Sequence, residues 1–192
     1  AWDSMEEGEE QMNPEETEAL RFEDASTQAH FAAMSAIHCR GWHSTYPGHV
    51  PDDYLREEVT EERWVPVFRA GYETGGSRGL LLYAGERPVA CCTYGPARRP
   101  DGAEAAPGRG EIISFYAEPA CTGRGYGSRL MEEALRRLKA EGYGSCELLV
   151  LRENTAAQRF YRRHGFAWDG SSVDIPFPGG AVCVDLRFVR TL

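Results

Sequence analysis

Glu111-Ile-Ile-Ser-Phe-Tyr-Ala117, followed shortly by the turn Thr122-Gly123-Arg124-Gly125-Tyr126-Gly127-Ser128, decides how this chain folds. The first segment is short, apolar and rich in branched and aromatic residues, which predicts a buried strand. After the turn, Leu130, Met131, Ala134, Leu135 and Leu138 recur at helical spacing, and Gly142 stands where a C-terminal cap belongs. The glycines therefore lie between a strand and a helix. Gly125 and Gly127 have no side chain to obstruct a ligand, and the first N–H groups of the helix have no partners in it. That combination attracts phosphate. A P-loop would need Gly-Lys-Ser/Thr here, and a dinucleotide fingerprint would need Gly-x-Gly-x-x-Gly with an acid ending the next strand. Neither is present. Two readings stay open: a pyrophosphate site of another kind, or a tight turn glycine-rich for sterics alone.

The segments that follow separate these readings. Cys146-Glu-Leu-Leu-Val-Leu151 predicts a second strand. Residues 154–166 predict a short helix, with Asn154 as N-cap and Gly165 at its exit. A strand, a Gly-x-Gly turn, an amphipathic helix, a strand, Asn, then Ala-x-x-Phe-Tyr-x-x-x-Gly-Phe resembles the GCN5-related N-acetyltransferase superfamily. The likeness is densest from Glu111 to Trp168 and continues from about Leu20 to the C-terminus.

That resemblance implies an α/β (α+β) acyltransferase fold: a mixed, mostly antiparallel sheet of six to seven strands with helices on both faces. It implies transfer of an acetyl group from acetyl-coenzyme A to an amine, by direct attack in a ternary complex and without a metal. Backbone N–H groups of Thr122, Gly123, Arg124, Gly125, Tyr126, Gly127 and Ser128 would hold the pyrophosphate. The family usually has Gln or Arg where Thr122 stands, a departure that backbone contacts tolerate. Phe115, Tyr116 and Ala117 would border the thioester, where one N–H donor to a developing oxyanion is worth about 3 kcal/mol. Asn154 would bond the pantetheine arm or simply cap its helix. Tyr161 would protonate the departing thiolate, or else pack on the sheet. Glu111, spaced from the turn as the base glutamate is in histone acetyltransferases of the superfamily, would take the amine's proton; a strand-start Glu can equally be solvated. His43 and Glu147 are lesser choices for that step.

The segment from His38 to Leu55 crowds Trp42, His43, Tyr46 and His49 among Gly41, Pro47, Gly48 and Pro51. It is expected to be a broken, ligand-binding connection. In the resembled superfamily this region walls the acceptor pocket, so Trp42, His43 and Tyr46 are the acceptor-side residues. The alternative is that the aromatics only pack over the sheet.

The remaining chain is read as follows. Residues 1–17 form an acidic tail without periodicity, expected to be disordered; Ala1 in place of Met fits a processed end. Residues 18–192 form one domain. Glu18 to Phe22 predicts a strand, and Asp24 or Ser26 caps a helix to His38. One helix is expected from Pro51 to about Gly71. Leu80–Ala84 and Val89–Tyr94 form a hairpin, and Pro96–Gly110 a mobile loop. Two strands, Ser172–Ile175 and Val182–Val189, close the order β-α-α-β-β-β-α-β-α-β-β. Hairpins in both halves oppose a dinucleotide oxidoreductase.

Composition bounds the function. A net charge of −9 opposes a general nucleic-acid surface, and no apolar run reaches the length of a membrane span. No secretory signal is apparent. The six cysteines form no C-x-x-C pair and read as reduced cytoplasmic thiols, not a metal site. The favoured acceptor is the primary amine of a small molecule. A protein or peptide acetyltransferase and a non-catalytic coenzyme A-binding module are the alternatives, and a homodimer is compatible with all three.

Overall fold

The computed structural model describes residues 18–99 and 106–192. The acidic tail at 1–17 and the middle of the expected loop at 96–110 lie outside the described residues. The elements are β1 (Leu20–Asp24), α1 (Gln28–Thr45), α2 (Asp52–Glu58), α3 (Val65–Thr74), β2 (Arg78–Ala84), β3 (Arg87–Pro96), β4 (Arg109–Ala117), α4 (Tyr126–Ala140), β5 (Ser145–Leu151), α5 (Thr155–Arg163), β6 (Ala167–Pro176) and β7 (Val182–Thr191). One 7-stranded sheet runs in the order β1-β2-β3-β4-β5-β7-β6. Every pairing is antiparallel except β4 with β5. The mixed, mostly antiparallel sheet read from the sequence is therefore the one observed.

Alternation along the strands sets the two layers. Leu80 and Leu82 face one side, with Leu130, Met131, Ala134 and Leu138 of α4 and Phe188 of β7. Leu81 and Cys91 face the other, against Phe31, Met34 and Ile37 of α1 and Phe68 of α3. A third cluster joins Cys39, Val50, Leu55, Val59, Leu151 and Cys183. All six cysteines are buried free thiols.

Two expectations are corrected. The helix capped near residue 26 is capped by Thr27, whose hydroxyl accepts from the His30 N–H, and it does not stop at His38 but runs to Thr45. Trp42 and His43 therefore sit on a helix, not on a broken loop. Gly41, read as a breaker, is a point of close approach: a Cβ there would stand 2.3 Å from the Tyr116 ring. The single helix expected from Pro51 is two, α2 and α3, separated by residues 59–64. The breaking sequence at 46–51 is real but shorter than expected, with Gly48 at φ +83.

Candidate active site

β4 and β5 pair over only three positions, Arg109 with Ser145, Gly110 with Cys146 and Glu111 with Glu147. Beyond Glu111 the strands diverge. Each is held by its outer neighbour: β4 stays with β3 to Ala117, and β5 stays with β7 to Leu151. The register of β4 against β3 slips between Thr93 and Tyr94, which leaves Ile113 as an extra residue. Such a bulge increases local twist and turns the strand away. The result is a wedge in the sheet whose inner backbone edges lack strand partners. It opens into a cleft of about 1140 Å³ lined by the ends of both strands, the 122–128 turn, α5 and α1.

At the α4 end of the cleft, Gly123 and Gly125 hold φ of +86 and +80, a region that L side chains rarely adopt. Gly125 is the N-cap of α4, and no side chain caps that helix. A Cβ at either glycine would meet nothing within 4 Å. The turn is thus open, with the first N–H groups of a 15-residue helix behind it. Thr122 is turned to its own backbone, its hydroxyl donating to the Pro119 carbonyl at 2.8 Å. Ser128 meets the His164 ring at 3.1 Å. The Arg124 side chain is exposed. Asn154 caps α5 as expected, its carbonyl oxygen accepting from the Ala157 N–H at 3.1 Å, and it also lines the cleft.

Tyr161 projects from α5 into the wedge and is 9% exposed. Phe115, Phe160 and Phe166 surround its ring edge-on at 5.5–6.3 Å. Burial raises its phenol well above the ordinary range, with Tyr46 and Cys92 adding to the effect, so the proton stays on at neutral pH. Burial likewise pushes Tyr46 up to about 12, helped by Asp185. Tyr116 is raised by burial and by Tyr46, Tyr161 and Asp185. Tyr46 at the C-cap of α1, Tyr116 on β4 and Tyr161 on α5 therefore line one cleft.

The sequence-derived acceptor residues divide. Trp42 and Tyr46 stack at 4.2 Å and line the cleft. His43 does not join them: its ring bonds the Val59 carbonyl at 2.9 Å, outside the cleft lining. One turn before Trp42, His38 takes the inner place. It is 7% exposed, stacked on Trp64 at 4.0 Å and tilted on Tyr116 at 4.3 Å. Burial lowers it to about 3, so the ring is neutral. Its Nδ1 and the Trp42 indole N–H are buried without partners among the described residues. Glu111, 6% exposed, lies at the closed foot of the wedge, where the Arg98 N–H and guanidinium donate to its carboxylate at 3.0–3.4 Å.

His38, Trp64 and Asp185 line the cleft and were missed. His38, Trp42 and Tyr46 are four residues apart, a one-face signal once the helix is known to continue. Asp185 is a lone acid in the apolar run of the last strand. Among the described residues no group of three His, Cys, Asp or Glu side chains clusters as metal ligands do, and no helix is long and apolar enough to cross a membrane.

Residues 37–166 match the model of the acetyltransferase (GNAT) family. The mycothiol acetyltransferase of Saccharopolyspora erythraea is 40% identical over 129 residues, 67% of this chain. The chain spans little more than a third of the length of two curated relatives it matches, 34% and 37%. Two solved structures share the fold. The PaiA N-acetyltransferase from Thermoplasma acidophilum, in complex with coenzyme A, superposes with a TM-score of 0.65 at 17% identity, covering 90% of this chain and 99% of its own. The ribosomal-protein-alanine N-acetyltransferase from Brucella melitensis gives 0.69 at 19%, covering 91% and 99%. At these identities the likeness is one of fold.

Proposed function

This chain belongs to the acetyltransferase (GNAT) family, and on that premise we propose that it is an acetyl-coenzyme A-dependent N-acetyltransferase acting on the primary amine of a small molecule. The observation that carries the proposal is the wedge between β4 and β5, with an open glycine turn at one end and a buried phenol inside.

The residues present suit a nucleotide-linked thioester. The turn from Thr122 to Ser128 presents backbone N–H groups and the positive end of α4 to a pyrophosphate. Arg124 adds an exposed charge beside it. The β5-facing edge of β4 along Phe115, Tyr116 and Ala117, free of a strand partner past Glu111, receives an extended amide-bearing arm as an added strand would be received. Asn154 spends its carbonyl oxygen on α5 and keeps its amide N–H groups for the arm. Acetyl-coenzyme A supplies an activated acyl group, and the protein positions it and manages protons. Tyr161, kept protonated by burial, donates to the departing sulfur. Glu111, its carboxylate oriented by Arg98, reaches the acceptor's proton only through water from the foot of the wedge. Trp42 and Tyr46 wall the acceptor.

Two measurements test this reading. Acetyl-coenzyme A at about 100 times its Kd should stabilise the protein by about 2.7 kcal/mol, a rise in Tm of roughly 5–10 °C. Gly125→Ala should lose about 1–2 kcal/mol of stability, from a Cβ forced into a left-handed backbone, and most of the ligand-induced shift. No shift in the wild-type protein would remove the coenzyme from the reading. A panel of amines, amino acids, polyamines and peptides, read by thiol release, then identifies the acceptor class; turnover of peptides alone would replace the small-molecule acceptor.

A further inference from the structure

Two carboxylates line the cleft, Glu111 and Asp185. Glu111 is paired with Arg98. Asp185 stands on β7 beside Leu151 of β5 and Val173 of β6, and among the described residues no cation pairs with it; Arg187, next on the same strand face, is engaged by Glu147. It shares its strand face with Cys183, which packs on the α1–α2 side among Cys39 and Leu55, where Trp42, Tyr46, Trp64 and Phe177 also gather. The Trp42 ring is stacked on Tyr46, tilted against Trp64 at 5.6 Å and met edge-on by Phe177 at 6.2 Å. The cleft thus runs through the sheet from a glycine turn on the α4 side to an aromatic chamber holding one unpaired acid. A lone carboxylate in a largely apolar chamber is costly unless something cationic visits it.

We propose that Asp185, which lines the same cleft as Tyr46 and Tyr116, holds the acceptor as its ammonium and then takes its proton in place of Glu111, while Trp42 and Trp64 receive an aromatic body carried by that amine. Aromatic faces favour a flat apolar group stacked on them and a cation held above the ring. The proton leaves the ammonium nitrogen for the Asp185 carboxylate, which frees the lone pair that attacks; water then takes the proton from the carboxylic acid. Burial, with Glu153 adding to it, raises Asp185 to about 6, which makes it a better proton acceptor than a solvated carboxylate. The groups facing it are Tyr46 from α1, Tyr116 from β4, Cys183 on its own strand and Glu153 after β5. Glu153 is paired with Arg152, and the phenols are held neutral, so Asp185 is the member that titrates between pH 5 and 8. This inference rests on the acetyltransfer reading for the destination of the acyl group, and stands apart from it for binding of the amine.

The full chain without coenzyme is titrated with 2-phenylethylamine, followed by tryptophan fluorescence and calorimetry at pH 5 and pH 8. The expected result is at least tenfold tighter binding at pH 8, where Asp185 is ionised, and weaker binding of butylamine and of glutamate. Asp185→Asn should remove the pH dependence and at least tenfold of the affinity at pH 8. The same change should raise Tm at pH 8 by clearly more than at pH 4.5. A folded-state pKa raised above the unfolded value costs nothing below the unfolded value, and the cost grows as pH rises through the folded one. Asp185→Asn should still show the acetyl-coenzyme A shift in Tm. In turnover, it should lose the acidic limb of kcat/KM and fall further than Glu111→Gln. Wild-type binding that is independent of pH, or tightest for glutamate, overturns the proposal; so does a smaller loss in Asp185→Asn than in Glu111→Gln. The wild-type pH arm needs no variant to fold. If acetyl-coenzyme A gives no shift while the amine binds through Asp185, the transferase reading fails and the ammonium site remains.

Discussion

Tyr161→Phe should lower kcat by about 100-fold, and kcat/KM with it, while leaving acetyl-coenzyme A affinity and stability nearly unchanged. Loss of a positioned proton donor costs roughly 10²–10⁴ in rate, and a donor that acts only as the sulfur departs lowers kcat and kcat/KM together. The ring keeps its packing in the variant, since Phe115, Phe160 and Phe166 hold it by edge contacts that need no hydroxyl. The hydroxyl has no hydrogen-bond partner acting on it among the described residues, so removing it breaks no internal bond. Burial keeps the phenol protonated well beyond neutrality, so the wild-type rate should show no alkaline fall from this group below about pH 9. Stopped-flow turnover with saturating amine, alongside a coenzyme titration, decides the matter. Wild-type kcat in the variant would reduce Tyr161 to a packing residue.

Gly41→Ala should destabilise the protein by about 1–2 kcal/mol and raise the acceptor KM at least tenfold, with the coenzyme Kd held within about threefold. Helix propensity alone predicts the opposite sign, because Ala is about 1 kcal/mol better than Gly inside a helix. The added methyl would lie 2.3 Å from Tyr116 Cδ1 and 2.9 Å from its Cε1. That ring cannot step aside cheaply. His38 packs on it at 4.3 Å, and Trp64 backs His38 in turn. Relief must come from α1 sliding off the sheet, which also moves Trp42 and Tyr46. Thermal melts give the sign directly: a variant more stable than wild type would show that the close approach of α1 to β4 is absent in solution.

Local chemistry made two parts of the cleft lining legible. A turn that needs positive φ accepts little but glycine, and Gly123 and Gly125 take it; of the pair singled out in the sequence, Gly125 lies in the turn and Gly127 inside α4. A helix whose first N–H groups need an acceptor announces its cap, and Asn154 is that cap. Buried stripes at helical spacing marked α4, and two short apolar runs joined by a tight turn marked β2 and β3. These are short-range constraints, visible within a few residues. The end of α1 was not legible, because Gly41 reads as a breaker until Tyr116, 75 positions later, is seen to need the space. His43 and His38 compete for one histidine role, and only the direction of the helix face turns His38 inward and leaves His43 bonded to Val59.

The sequence by itself determined a sheet of this type, a glycine turn opening the long helix and a tyrosine in the helix after it, since each depends on backbone conformation or spacing that a few neighbouring residues dictate. Only the tertiary structure decided where β4 and β5 part, just after Glu111, and that Asp185, His38 and Trp64 line the cleft that opens there. Strand separation is settled by what holds the outer edges, β3 on one side and β7 on the other, and those contacts join residues too far apart in the chain for any local pattern to encode.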